Sequence, residues 1–202
     1  MHNLPGIFSD SEVTLVPRDR ITLTLSRDIP TDTVLVASDG LGYIVETKSI
    51  GRSITTTYSR SNGEIVAALE WRDRFSDRIV IGDEPKTKLS KRFRKPSLLS
   101  SSYIFTGADG KKYKWKGIGC GIQAQLFVIG EKEALCTFDP ARALHSRLAT
   151  LRIEPRAVPM MDFIVVSFLA LEKNSRAKEK TPASLALDII GRAGGMGALY
   201  YY

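Results

Sequence analysis

From Val158 to Leu171 the chain is almost wholly apolar, and this run follows a long series of short alternating segments. A helix that is apolar around its whole circumference has to be buried on every side, in a protein interior or in lipid. This one is too short for lipid, because a spanning helix needs about 20 apolar residues. The run therefore predicts a helix enclosed by protein at the centre of the fold, with no transmembrane span.

Upstream of it the pattern has period two over short lengths, bounded by turn residues, which is the signature of antiparallel strands. Ile21, Leu23 and Leu25 alternate with Thr22 and Thr24; Val34 to Ala37 turns at Ser38 to Gly42 and returns through Tyr43 to Lys48. Ile54 to Ser59 turns at Ser61-Asn62-Gly63 and returns as Glu64 to Trp71. Asn-Gly suits such a corner because a type I′ turn needs positive φ at both central residues. Strands are also expected at Asp77 to Ile81, Thr87 to Arg92, Tyr103 to Thr106, Lys111 to Lys116, Gln123 to Ile129, Ala134 to Phe138 and Arg147 to Glu154. About twelve strands in sequence around one apolar helix predict a mainly β fold, a closed antiparallel β-barrel, since closure removes exposed edges. Eight strands already make a barrel that side chains fill, so a larger one has room for the helix.

The expected organisation is an irregular segment over 1–19, one domain over 20–180 with its central helix at about 159–180, and a remainder over 181–202. That remainder reads as a short helix capped at Thr181-Pro182, then a flexible tail rich in Gly and Tyr. Glu172 to Lys180 reads as a solvated extension of the central helix. No signal peptide is visible, since residues 1 to 16 carry His2, Pro5, Asp10 and Glu12 instead of a basic start and an apolar stretch. A cytoplasmic location, peripheral at a membrane, is expected.

Charge is localised. Residues 86 to 116 hold Lys86, Lys88, Lys91, Arg92, Arg94, Lys95, Lys111, Lys112, Lys114 and Lys116 against Asp109 alone, in a chain of net charge +7. Such asymmetry points to a positive patch that attracts polyanions or an anionic membrane. Within it, Tyr113 and Trp115 fall on one face of a strand while Lys112, Lys114 and Lys116 fall on the other. The candidate anion- or lipid-binding residues are Lys86, Lys88, Lys91, Arg92, Arg94, Lys95, Lys112, Lys114 and Lys116. Nucleic acid would use the same charges, but base stacking needs exposed aromatics, and Phe93 is the one aromatic in the patch expected outside.

Tyr103 to Gly117, with its Gly107-Ala108-Asp109-Gly110 turn and Tyr113-x-Trp115-Lys116-Gly117, and Met161 to Lys180 resemble a fungal family of unknown function, the DUF6593-like proteins. That family is similar to the tubby-like and LURP-one-related group, which includes phospholipid scramblases. The resemblance implies a twelve-stranded barrel around a C-terminal hydrophobic helix. Tubby domains hold phosphoinositides with basic residues, but no lysine or arginine here matches those positions, and the Asp-rich calcium segment of scramblases is missing.

Other constellations favour structure over chemistry. Cys120 and Cys136 make no disulfide framework and read as reduced, buried thiols. With His2 and His145 as the only histidines and no Cys-x-x-Cys, neither metal nor cofactor is expected. Gly117-Ile118-Gly119-Cys120-Gly121 has the wrong spacing for a phosphate loop and reads as a wide turn. His145 with Asp139, Ser146 and Cys136 lacks a nucleophile elbow, so no enzyme activity is expected. Asp162 is suited to the helix N-terminus. The sequence thus predicts a non-enzymatic intracellular binding domain for anionic lipid headgroups, with a protein-interaction or structural module as the alternative.

Overall fold

The computed structural model describes residues 19–179 except 73, 98–99, 120 and 142–147. The expected short helix and tail after residue 180, the irregular segment over 1–18, Cys120 and His145 lie outside the described residues. Twelve strands form one antiparallel sheet: β1 (Ile21–Leu25), β2 (Thr33–Val36), β3 (Gly42–Ile50), β4 (Ser53–Arg60), β5 (Ile65–Glu70), β6 (Arg78–Ile81), β7 (Thr87–Lys88), β8 (Tyr103–Thr106), β9 (Lys112–Lys116), β10 (Ala124–Val128), β11 (Ala134–Asp139) and β12 (Thr150–Ile153). Their order is β7-β6-β5-β4-β3-β2-β1-β12-β11-β10-β9-β8, so every neighbour but one is consecutive in sequence. The exception, β1 against β12, joins the two meanders through pairs running from Ile21–Ile153 to Thr24–Thr150.

A 3-10 turn over Pro155–Met160 leads into α2 (Met161–Glu179). Residues 164 to 172 are buried without interruption, which for a helix means burial on all sides. Phe168 packs 4.4 Å from the Phe138 ring on β11 and 5.6 Å from Trp115 on β9, while Phe163 lies 5.0 Å from Phe105 on β8. Tyr43 on β3 reaches the same helix at Asp162, so both meanders hold it. The one hydroxyl within the plug, Ser167, accepts from the Trp115 indole at 3.0 Å and donates to the Ile164 carbonyl at 3.1 Å. Each large apolar side chain buried this way contributes about 1.5–3 kcal/mol.

Three expectations and the structure differ. The sheet is not closed into a barrel by hydrogen bonds, since β7 and β8 form no ladder with each other. Thr87 to Arg92 is not a strand either: after two residues the chain turns into the one-turn helix α1 (Leu89–Arg92), with the Phe93 N–H donating to the Leu89 carbonyl at 2.9 Å. Leu89 and Phe93, four apart, are both buried, and that helical spacing rather than alternation decides the segment. Across the gap, Arg94 makes an isolated two-bond bridge to Ile104 of β8.

The third concerns the charged turns of α2, which are not a solvated extension. Lys173 pairs with Asp77 at 2.5 Å, both almost fully buried, and its ammonium lies 4.1 Å over the Trp71 ring. Arg176 bridges Glu172 at 2.9 Å and Asp28 at 2.8 Å.

Candidate functional site

β9 turns alternate side chains to opposite faces, as its sequence requires. Tyr113 and Trp115 are buried, while Lys112, Lys114 and Lys116 point outward, Lys112 and Lys116 exposed and Lys114 half-buried. Cross-strand register sets the row Arg94, Ile104, Lys114, Phe127 on the outer surface. At the usual strand spacing the Arg94 and Lys114 backbones are about 10 Å apart, comparable to the Debye length of about 8 Å at physiological salt.

The nine candidate cations do not behave alike. Lys86 is engaged by Glu70 at 3.0 Å, and the Arg92 guanidinium by both oxygens of Glu84, at 2.9 and 3.0 Å, and the Thr106 carbonyl, at 2.7 Å. Arg92 also lies 4.9 Å over the Phe163 ring, which makes it a brace for the core and not a surface contact. Lys95 sits 5.1 Å over Tyr103 and Lys116 4.5 Å over Phe127. Lys88, Lys91, Arg94, Lys112 and Lys114 form no ion pair among the described residues; Lys88 lies on β7, Lys91 on α1, Lys112 and Lys114 on β9, and Arg94 just after α1, where its backbone bridges to Ile104 of β8. Phe93, expected outside, is buried against Phe105 at 5.5 Å, so the patch carries no stacking platform there.

The glycine segment after β9 is a turn, as expected. Gly117 has φ +80°, and a Cβ there would come within 2.5 Å of the Gln123 carbonyl oxygen. Its neighbour Gly119 donates its N–H to the buried Glu172 carboxylate at 2.8 Å, so the loop receives an anion from α2 itself. Asp162 stands in the first turn of α2, where the helix dipole favours a carboxylate, and it accepts from the Tyr43 phenol at 2.5 Å and from the Arg60 guanidinium. Burial and that neighbouring carboxylate push the Tyr43 phenol far above its ordinary range. Burial also drives the Cys136 thiol well up, which leaves it an un-ionised, inert group. Asp139 is tied to Arg152 at 2.6 Å and Gln123 at 2.6 Å.

A second feature was missed at the level of sequence. In an up-and-down meander alternate turns share one end, and here the turns after β4, β6, β8 and β10 gather where α2 begins. They enclose a cleft of about 710 Å³. Its apolar lining comes from Ile65, Val66, Ile81, Val128, Leu135, Pro159, Met160 and Phe163, and its carboxylates from Glu64, Asp83, Glu84, Asp109, Glu131 and Asp162. Lys111 and Arg156 are the cations in the lining. In the sequence Asp109 reads only as part of a hairpin turn, and Asp83 and Glu84 fall between two expected strands; their common location depends on the topology of the whole sheet.

Fold and site together define a twelve-stranded antiparallel sheet curled around an apolar helix, with a cationic outer face and an acidic cleft at one end. The chain belongs to the family of unknown function DUF6593, whose model matches residues 28–177. No curated protein is significantly similar to it. The X-ray structure of an Arabidopsis thaliana protein superposes with a TM-score of 0.43 at 11% identity, covering 74% of this chain and 90% of that one.

Proposed function

We propose that this is a non-enzymatic binding domain that meets anionic phospholipid headgroups at a membrane face through the outward cations of β7, α1, the Arg94 bridge to β8, and β9. The supporting observation is the set of five cations, Lys88, Lys91, Arg94, Lys112 and Lys114, on adjoining elements without ion-pair partners among the described residues. Ile104 and Phe127, half-buried in the same row, offer apolar surface beside the charge. Each Lys or Arg near an anionic bilayer contributes about 1 kcal/mol, so several hold a protein there reversibly. We also read the architecture as a barrel of the tubby-like and LURP-one-related kind, a reading supported by twelve consecutive antiparallel strands around one apolar helix and by the Arg94–Ile104 bridge at the seam.

The test is co-sedimentation with vesicles of neutral lipid alone or with added phosphatidylserine, across a salt series. Binding is expected only with the anionic lipid and should fall as salt rises. Binding that ignores both lipid charge and salt would sink the reading.

A second reading, a protein-interaction module, is favoured by one observation. Val34 and Ile44 face each other across β2 and β3 with Val36 and Leu41 nearby, all exposed, on an outer surface that alternation normally leaves polar. Sedimentation of wild type and Ile44→Asp at high concentration separates the two readings, since self-association lost in the variant supports the second.

A further inference from the structure

The end cleft has the wrong sign for the ligand of the cationic face, and that difference identifies a second site. At about 710 Å³ it falls within the range of about 300–1,000 Å³ usual for small-molecule pockets. Val66, Ile81 and Leu135, buried within the sheet, and Met160 at the entry of α2 supply apolar walls. An apolar body seated there removes water from both surfaces.

The carboxylates determine which head group fits. Glu64 is matched by Arg60 at 2.6 Å, Glu84 by Arg92 at 2.9 Å, Glu131 by Arg156 at 2.5 Å, and Asp162 by Arg60. Asp83 and Asp109 have no ion-pair partner among the described residues. Asp109 accepts from the Tyr113 phenol at 2.7 Å and the Lys111 backbone N–H at 3.1 Å, bonds that hold its carboxyl below the usual range and keep it ionised. Six lining acids against Lys111 and Arg156, even with Arg60 and Arg92 added, leave the cleft net negative. A concave site with low-dielectric walls concentrates that field.

We propose that this cleft binds a small amphipathic cation, its apolar body against Val66, Ile81, Leu135 and Met160 and its ammonium group facing Asp83 and Asp109. The proposal stands apart from the membrane reading, because the two sites differ in sign and in residues; either can fail alone.

Three probes with one tail and different heads test it on the full chain: octylammonium, octanol and octanoate, followed by methyl-resolved NMR titration. Octylammonium is expected to saturate one site, with the largest shifts at Val66, Ile81, Leu135 and Met160, and to bind more tightly than octanol, with octanoate weakest. Asp83→Lys is expected to weaken octylammonium about threefold to tenfold while leaving octanol unchanged. Asp83 makes no side-chain hydrogen bond or ion pair among the described residues, and Asp83→Asn gives a milder check with a smaller loss. Rising salt should weaken octylammonium alone. Equal binding of octanoate, shifts centred outside the cleft, no saturable binding, or an Asp83→Lys variant that binds octylammonium unchanged would each overturn the proposal.

Discussion

The two faces of β9 differ in what they do for the molecule, although they alternate along five residues. Inward, Trp115 packs on Phe168 and bonds Ser167, and Tyr113 stacks on Phe105 with ring centroids 5.4 Å apart. Outward, Lys112 and Lys114 make no ion pair among the described residues, and Lys116 rests over Phe127. The inner face carries folding energy and the outer face carries charge. A period of two keeps them so separate that either can be altered with little effect on the other.

The largest effect should come from the inner face. Trp115→Ala removes a fully buried indole and the hydrogen-bond donor to Ser167, and is expected to cost about 3–5 kcal/mol in urea unfolding. Charges that face inward test whether the division is one of geometry or of polarity. Lys173→Met leaves the Asp77 charge in the interior without its cation and is expected to cost about 3 kcal/mol, whereas Lys173→Met with Asp77→Leu should recover part of it, since the Arg72 N–H then loses its acceptor.

Alkaline unfolding comes next. Burial lifts the Tyr103 and Tyr113 phenols from 10.0 to about 12, and Tyr43 and Tyr58 higher still. A phenol whose folded value is raised adds stability that is whole below pH about 10 and is lost as pH climbs toward 12. With Tyr200, Tyr201 and Tyr202 replaced by Phe, so that these four phenols alone are read, tyrosinate absorbance should appear together with loss of the fold, and phenols that ionise while circular dichroism stays native would contradict their burial.

The smallest effect on stability belongs to the outer face. Replacing Lys112, Lys114 and Lys116 together by Gln should change stability by under about 0.5 kcal/mol, yet weaken binding to anionic vesicles by about 3 kcal/mol, roughly a hundredfold. A triple variant that unfolds would erase the distinction between the faces.

Much of this was legible in local pattern. Alternation placed Tyr113 and Trp115 inside, Asn62-Gly63 marked its turn, with Gly63 at φ +88°, and the apolar run located α2. What escaped depends on neighbours distant in sequence. Charge composition hid Phe93, whose partner for helical spacing, Leu89, sits in a run read as a strand. Glu172 and Lys173 looked solvated because the groups that receive them, the Gly119 N–H and Asp77, lie about 50 and 100 residues upstream. The cleft escaped entirely, since its acids come from separate turns that only the sheet order gathers at one end. Among the nine candidate cations, sequence could not separate Arg92, drawn inward to Glu84 and Phe163, from its exposed neighbours.

The position of α2 after all twelve strands has a consequence for biosynthesis. Every apolar side chain on the inner surface, from Leu23 to Ile153, leaves the ribosome before the helix that covers it. At about 5–20 residues per second, that leaves a nascent sheet bare for seconds. The inner surface of the sheet can be covered only once the last segment of the domain has been made.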